Sequence, residues 1–115
     1  MPRIDSYRFG EIIINGRPYN RDVKIIGEEI VPNWWRREGH HLYPEDITDI
    51  LSSDCEVLVV GTGAYGVMKI DPSVQEVCQK KGLRLEAYRT AAAVERFNEL
   101  AAQKVKVAGA FHLTC

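Results

Sequence analysis

The chain has 115 residues, 45% of them hydrophobic and 27% charged, with a formal net charge of -1. Such a length and balance fit one domain over residues 1–115 with a core that needs no metal or disulfide staple, and they exclude the apolar depletion of a disordered chain. The near-neutral charge offers no field to nucleic acid or to an anionic membrane surface, and no apolar run approaches the roughly 20 residues of a bilayer span, so neither is expected as a partner.

The first quarter reads as antiparallel sheet. The segment Phe9 to Ile14 is rich in β-branched residues and ends at Asn15-Gly16, the dipeptide that best tolerates the positive φ angles of a tight hairpin. Arg17-Pro18-Tyr19 starts the return, and Pro18, which cannot donate to a ladder, belongs on an edge. Val23 to Ile26 is a further strand before Gly27, and Ile30 to His41 reads as irregular.

From Pro44 the apolar period changes to that of a helix. Pro44 suits the first helical position, Glu45 and Asp46 favour the positive end of the dipole, and Ile47, Ile50 and Leu51 share a face. Val57 to Val60 is a continuous apolar strand of the kind covered on both sides, and Val67 to Ile70 is a short extended piece. Asp71 caps a helix holding Pro72 in its first turn, with Val74, Val77 and Cys78 inward and Gly82 as the stop. Leu83, Leu85 and Ala87 alternate with Arg84, Glu86 and Tyr88 to give a strand. Thr90 caps the longest helix, which presents Val94, Phe97, Leu100 and Ala101 on one stripe. Val105 to Leu113 closes the chain as a strand. Helical crossovers after an antiparallel start predict an α/β domain with a central mixed sheet.

Gly61, Gly63 and Gly66 follow the central strand with the spacing of a dinucleotide loop. That fingerprint requires a long helix to begin inside the motif, whereas Val67 to Ile70 is β-branched and Asp71-Pro72 punctuates the chain soon afterwards. A glycine turn at the carboxyl edge of the strand is therefore favoured, and no cofactor is expected. A smaller anion site remains open, built from the amides of Gly61, Thr62 and Gly63 and the amino end of the Thr90 helix, with Arg36 or His40 supplying positive charge.

Other candidates are weaker. His40-His41 lacks a third ligand at a usable spacing, so no metal is expected. His112 and Cys115 stand three apart on a strand and face opposite sides, which separates a base from its nucleophile; a buried, hydrogen-bonded histidine is the simpler reading, and no catalytic residue is assigned. Trp34-Trp35-Arg36-Arg37 places aromatic surface beside positive charge. One of these tryptophans suits the core with an arginine over its face, while an exposed one would anchor a protein partner. Trp34 and Trp35 are both carried as candidate contact residues. The three cysteines, Cys55, Cys78 and Cys115, are odd in number and widely spaced, as free thiols in a reducing compartment would be, and the amino-terminal residues lack an apolar signal core. A cytoplasmic location is expected.

Four segments, Trp35 to His41, Val57 to Gly63, Thr90 to Leu100 and Val107 to Cys115, resemble in order and spacing the family of small Mth-domain proteins, a domain of unknown function whose members include an adipogenesis-associated protein and a mitochondrial complex I assembly factor. The pattern T-x-x-A-x-x-x-[FY]-N, here Thr90, Ala93, Phe97 and Asn98, followed by a strand ending Phe111-His112-Leu113-Thr114-Cys115, is its most specific part. The resemblance implies a single α/β domain with a central mixed sheet, an N-terminal antiparallel β layer and packed helices, and it implies no catalytic residue. The expected function is that of a non-catalytic binding or assembly protein, with an unidentified protein partner or a homodimer as its complex. The alternative is an enzyme or sensor for an anionic small molecule at the Gly61–Gly63 loop.

Overall fold

The apolar run in the middle of the sequence lies in the middle of the sheet. The computed structural model describes residues 2–115. Ten strands run in chain order: β1 (Ile4–Arg8), β2 (Glu11–Ile14), β3 (Arg17–Tyr19), β4 (Val23–Ile26), β5 (Glu29–Val31), β6 (His41–Leu42), β7 (Val57–Thr62), β8 (Lys69–Ile70), β9 (Arg84–Tyr88) and β10 (Val107–His112). A 3-10 turn over Pro44–Ile47 leads into the single turn α1 (Thr48–Leu51), and two longer helices follow, α2 (Pro72–Lys81) and α3 (Thr90–Ala102).

The main sheet has the order β5-β4-β10-β7-β9. Strands β10, β7 and β9 are parallel, joined through helices, while β4 and β5 are antiparallel additions at the other edge. Because successive strand residues face opposite sides, β7 divides its side chains between two cores. Val57 and Val59 pack with α3, the three-stranded β1-β2-β3 sheet and the Phe97 and Phe111 rings. Leu58 and Val60 pack with Trp34, Ile47, Ile50, Met68, Val74 and Cys78 on the opposite face. The continuous apolar run is thus the signature of a strand buried on both sides.

Several local expectations are met for the reasons that predicted them. Asn15 and Gly16 both have positive φ, 52° and 78°, in the β2–β3 turn. Pro18 lies on the edge strand of its sheet. The Asp71 carboxylate accepts from the Ser73 amide at the start of α2, and Gly82 closes it in the left-handed region.

Other elements differ from the expectation. Strand β1 has no counterpart in the sequence reading, and Phe9-Gly10 forms a turn before β2 rather than the start of it. At the two ends of the segment expected to be irregular, β5 pairs with β4 and β6 pairs with β8. On β9 two positions depart from the polar–apolar alternation: Glu86 is buried and Ala87 exposed. Arg96 of α3 reaches Glu86 at 2.8 Å and Arg84 reaches it at 3.0 Å. The hydrogen bond from Arg96 is the main reason the Glu86 carboxyl lies below its usual range. An acid so paired occupies an inward position that an isolated charge would not.

Thr90 does not cap its helix. It is the first helical residue, and its hydroxyl accepts from Gly63 N at 2.9 Å while donating to the His112 carbonyl at 2.6 Å. Asn98, two turns on, clamps β1 by accepting from Ile4 N at 3.1 Å and donating to Ile4 O at 2.8 Å. Ala93 is fully buried against the sheet, and Phe97 meets Phe111 edge to face, ring centroids 5.8 Å apart. The four residues of the T-x-x-A-x-x-x-[FY]-N pattern therefore each fasten α3 to a different part of the molecule. Asn98→Ala should lower the unfolding free energy by about 2 kcal/mol, one for each lost bond, read as a shift in the urea midpoint at constant slope.

Candidate functional site

The carboxyl end of the parallel strands gathers the site residues, but in two separate groups. The first is the glycine loop. Gly61, Thr62, Gly63 and Thr90 do come together, and their polar groups are spent on one another and on the end of the chain. Gly63 N donates to Thr90, whose hydroxyl is fully buried, and Thr62 Oγ1 donates to the Tyr88 carbonyl at 3.0 Å. Ala64 N donates to Thr114 O at 2.8 Å, and Tyr65 N and Val67 N donate to Cys115 O at 3.2 and 3.1 Å. Of the candidate donors, the Gly63 amide is thus taken by the Thr90 hydroxyl, and the amides that follow it hold main-chain oxygens of Thr114 and Cys115.

The second group lies on the opposite side of β10. His112, the last residue of that strand, directs its ring toward the Trp34 face of the sheet. Its Nδ1 stands 2.8 Å from Asp22 Oδ2, and Asp22 also accepts from the Leu113 amide at 2.8 Å. Arg36 Nη1 pairs with the same Asp22 oxygen at 2.7 Å, while Arg36 Nη2 lies 3.1 Å from His112 Nδ1 and donates to the Gly39 carbonyl at 2.7 Å. Only 4% of the Arg36 side chain and 14% of Asp22 are exposed. The guanidinium lies 4.6 Å from the centre of the Trp34 ring, which fixes its plane.

Burial pushes the Asp22 carboxyl upward, but the His112 ring, the Leu113 amide and Arg36 together outweigh it and hold the group below the usual carboxylate range. One proton position follows from the geometry. A ring nitrogen cannot donate to Asp22 and accept from Arg36 at once, and the shorter contact is with the anion, so Nδ1–H donates to Asp22. In the neutral ring the opposite nitrogen, Nε2, is then an acceptor. It is buried and has no hydrogen-bond partner, and the same holds for the donor Arg36 Nε. Arg36 Nη1 touches Asp22 off the line of a hydrogen bond.

A cavity of about 260 Å³ opens over this cluster, walled by Trp34, Trp35, Arg36 and His112, with Arg21 and Thr114 among its lining. His40 places its ring edge-on to His112, centroids 5.6 Å apart, whereas His41 turns away to Asp71 at 3.1 Å. The two adjacent histidines thus serve different neighbours. Among the described residues no group of three His, Cys, Asp or Glu stands as a metal site.

The tryptophans divide. Trp34 is 6% exposed, bonds Asp46 O through its indole nitrogen at 2.9 Å, and carries Arg36 on its face, so it belongs to the core and presents no contact surface. Trp35 is 78% exposed. Asp22 and Arg21 had no signal in the sequence, since Asp22 meets its partner 90 positions away. His112 was legible only as part of the closing Phe-His-x-Thr-Cys pattern.

A family model described as "Protein of unknown function (DUF498/DUF598)" matches residues 4–112. The chain belongs to this family. The chain is 31% identical over 102 residues, 88% of its length, to NADH dehydrogenase [ubiquinone] 1 alpha subcomplex assembly factor 3 of Xenopus tropicalis. It spans 55% of that longer relative. Among solved structures, an outer membrane protein of Bartonella henselae superposes with a TM-score of 0.86 at 25% identity, over 99% of this chain and 96% of that one. A Mth938-like domain of Bordetella pertussis superposes with a TM-score of 0.72 at 17% identity, over 97% and 85% of the two chains. The family model, the assembly-factor relative and the shared fold establish the Mth-domain resemblance. No helix among the described residues is long and apolar enough to cross a membrane.

Proposed function

We propose that this protein is a non-catalytic binding or assembly protein of the cytoplasm, which engages a protein partner, or a second copy of itself, through the surface around Trp35. The observation that carries this reading is a large exposed indole on a rigid base. Trp35 sits between a buried tryptophan and an arginine locked by Asp22 and Gly39. The backbone on either side of it is therefore held before any partner arrives, which reduces the ordering cost of association. Phe9 and Tyr65, 56% and 67% exposed and 6.2 Å apart by ring centroids, add apolar surface at the same end of the sheet. Clusters of exposed aromatics mark interaction sites more often than they mark idle surface. The Xenopus relative, by its name an assembly factor, agrees with a protein whose work is contact rather than turnover. The three unpaired thiols suit a reducing compartment.

Sedimentation equilibrium of the wild type and of Trp35→Ala tests self-association, and photo-crosslinking from p-benzoylphenylalanine at position 35, with position 95 on α3 as control, tests a second protein. We expect Trp35→Ala to weaken association at least tenfold, in line with the roughly 1–2 kcal/mol or more lost at an aromatic anchor, while the melting temperature stays unchanged because the indole is in water. A monomer at every concentration together with equal labelling at positions 35 and 95 would remove the reading.

A further inference from the structure

A second cavity, of about 440 Å³, adjoins the one over Arg36, and the two share Asn20, Arg21 and Asn33 in their linings, so they meet along one trough. One side of it is β3 with the link that follows, and the other is the segment that leaves β5 through Pro32 toward Trp35. The Trp34 amide, donating to the Asp22 carbonyl at 2.8 Å, ties the two sides together. Arg17 lines only the larger cavity and the exposed Trp35 only the smaller, so these two residues mark opposite ends.

The polar groups along the trough are not used by the fold. Asn20, Asn33, Arg17 and Arg21 are all exposed, and among the described residues their side chains make no hydrogen bond or ion pair; Arg17 only lies over the Tyr19 ring, 5.6 Å from its centre. Among the described residues of either lining Asp22 alone is acidic, and it is committed to Arg36 and His112. Arg17 and Arg21 are therefore not neutralised, in a chain whose net charge is -1, and they select a negatively charged occupant. Each asparagine amide offers a donor and an acceptor together, the pair that a peptide main chain matches. A helix spends its main-chain groups internally, so the chain these amides suit is extended. Two arginines are few for a polynucleotide, whose hold on a protein comes from neutralising several phosphates. Carboxylates along a peptide need only one arginine each, and Pro18, Tyr19 and Pro32 supply apolar surface between the charges.

We propose that this trough holds an extended acidic segment of a partner protein, with its main chain on Asn20 and Asn33, its carboxylates on Arg17 and Arg21, and an apolar side chain against Trp35. The inference rests on the reading of Trp35 as a contact residue and adds the chemistry of the partner, which that reading leaves open.

The test selects a phage-displayed library of random twelve-residue peptides on the wild type, then measures the enriched sequences by fluorescence anisotropy as synthetic peptides with blocked termini. Peptides rich in Asp and Glu around an aromatic or aliphatic residue should be enriched. The double change Arg17→Glu and Arg21→Glu, at exposed positions that bond nothing in the fold, should weaken them at least about tenfold, because each position then repels what it held. The double change Lys69→Glu and Lys80→Glu alters the net charge equally at exposed positions outside the trough, and should leave affinity within about twofold. Trp35→Ala should weaken binding severalfold, and the side-chain amide signals of Asn20 and Asn33 should move in nitrogen-15 spectra as peptide is added. Enrichment of neutral or basic peptides, no enrichment at all, or equal losses in the two double variants overturns the inference. So does an oligothymidylate of the same length that binds as tightly as the peptides and through the same two arginines. Cross-linking of a protein from position 35 without any preference for acidic peptides removes this inference and leaves the Trp35 reading standing.

Discussion

Gly63→Val is expected to cost at least about 4 kcal/mol of stability, enough to leave a domain of this size largely unfolded at physiological temperature. Two independent effects add. Gly63 has φ of +108°, a conformation that a β-branched residue resists. A Cβ built there would overlap the Cys115 carbonyl carbon and lie 2.7 Å from the carbonyl oxygens of Thr114 and Cys115. Those atoms belong to backbone held by the amides of Ala64, Tyr65 and Val67, so they cannot withdraw without breaking the bonds that fix the end of the chain. Gly66→Ala is the matched control. Gly66 also has positive φ, 70°, but its nearest foreign atom would be Arg89 Cγ at 3.4 Å, on a flexible side chain. It should lose only about 1–2 kcal/mol, the cost of the left-handed backbone alone. Urea denaturation of the two variants separates backbone strain from overlap. A Gly63→Val protein with the wild-type midpoint would show that the closing residues do not pack on the loop.

The contrast between these two glycines also marks how far the sequence could be read. The spacing of Gly61, Gly63 and Gly66 is visible in the chain, and so is the absence of a helix after it; the structure shows β7 turning into the short strand β8. What the spacing could not reveal is which atoms return to the loop, because Thr114 and Cys115 arrive from the far end of the sequence. A ligand cradle and a socket for the protein's own carbonyls place the same demand for small residues on the chain.

The same distinction runs through the rest of the fold. Strand β7 and helices α2 and α3 carry their signals locally, in apolar period, in the Asp71 cap and in the Gly82 stop. Strand β1, Ile-Asp-Ser-Tyr-Arg, has one fully buried residue and mostly exposed polar neighbours, so neither alternation nor hydrophobicity announces it. It is held by Asn98, which no window around residues 4–8 contains. Alternation places Glu86 on the wrong face because it assigns faces by polarity, and Arg96, ten residues later, reverses the assignment by pairing the charge. The basic-aromatic stretch pointed to an arginine over a tryptophan, and Arg36 lies over Trp34. Deciding which tryptophan lies inside depends on how residues 33–36 cross the face of the sheet, where Asn33 takes a positive φ of 53°.

Asp22→Asn should be the most damaging substitution in the candidate site. Asparagine retains an oxygen for the Leu113 amide but removes the charge that Arg36 faces from a nearly closed position. A guanidinium left buried without its counter-charge typically costs about 3 kcal/mol. The exposed pair Arg37–Glu45, with both side chains more than half in water, supplies the reference, and Glu45→Gln should change stability by less than about 0.5 kcal/mol. The pH dependence identifies the mechanism. The folded Asp22 carboxyl lies below its unfolded value of about 4, so the folded state binds its proton less readily than the unfolded chain does. Its contribution is fully present above the unfolded value and disappears as the pH falls through the folded one. The gap between the wild type and Asp22→Asn should accordingly be constant from neutral pH to about pH 5 and narrow in more acid solution, where protonation leaves the wild type with the same uncharged partner for Arg36. Urea midpoints collected across that range measure the gap directly. A difference that stayed constant into strong acid would mean that the asparagine acts through packing, and that Asp22, Arg36 and His112 are neighbours without being a coupled electrostatic unit.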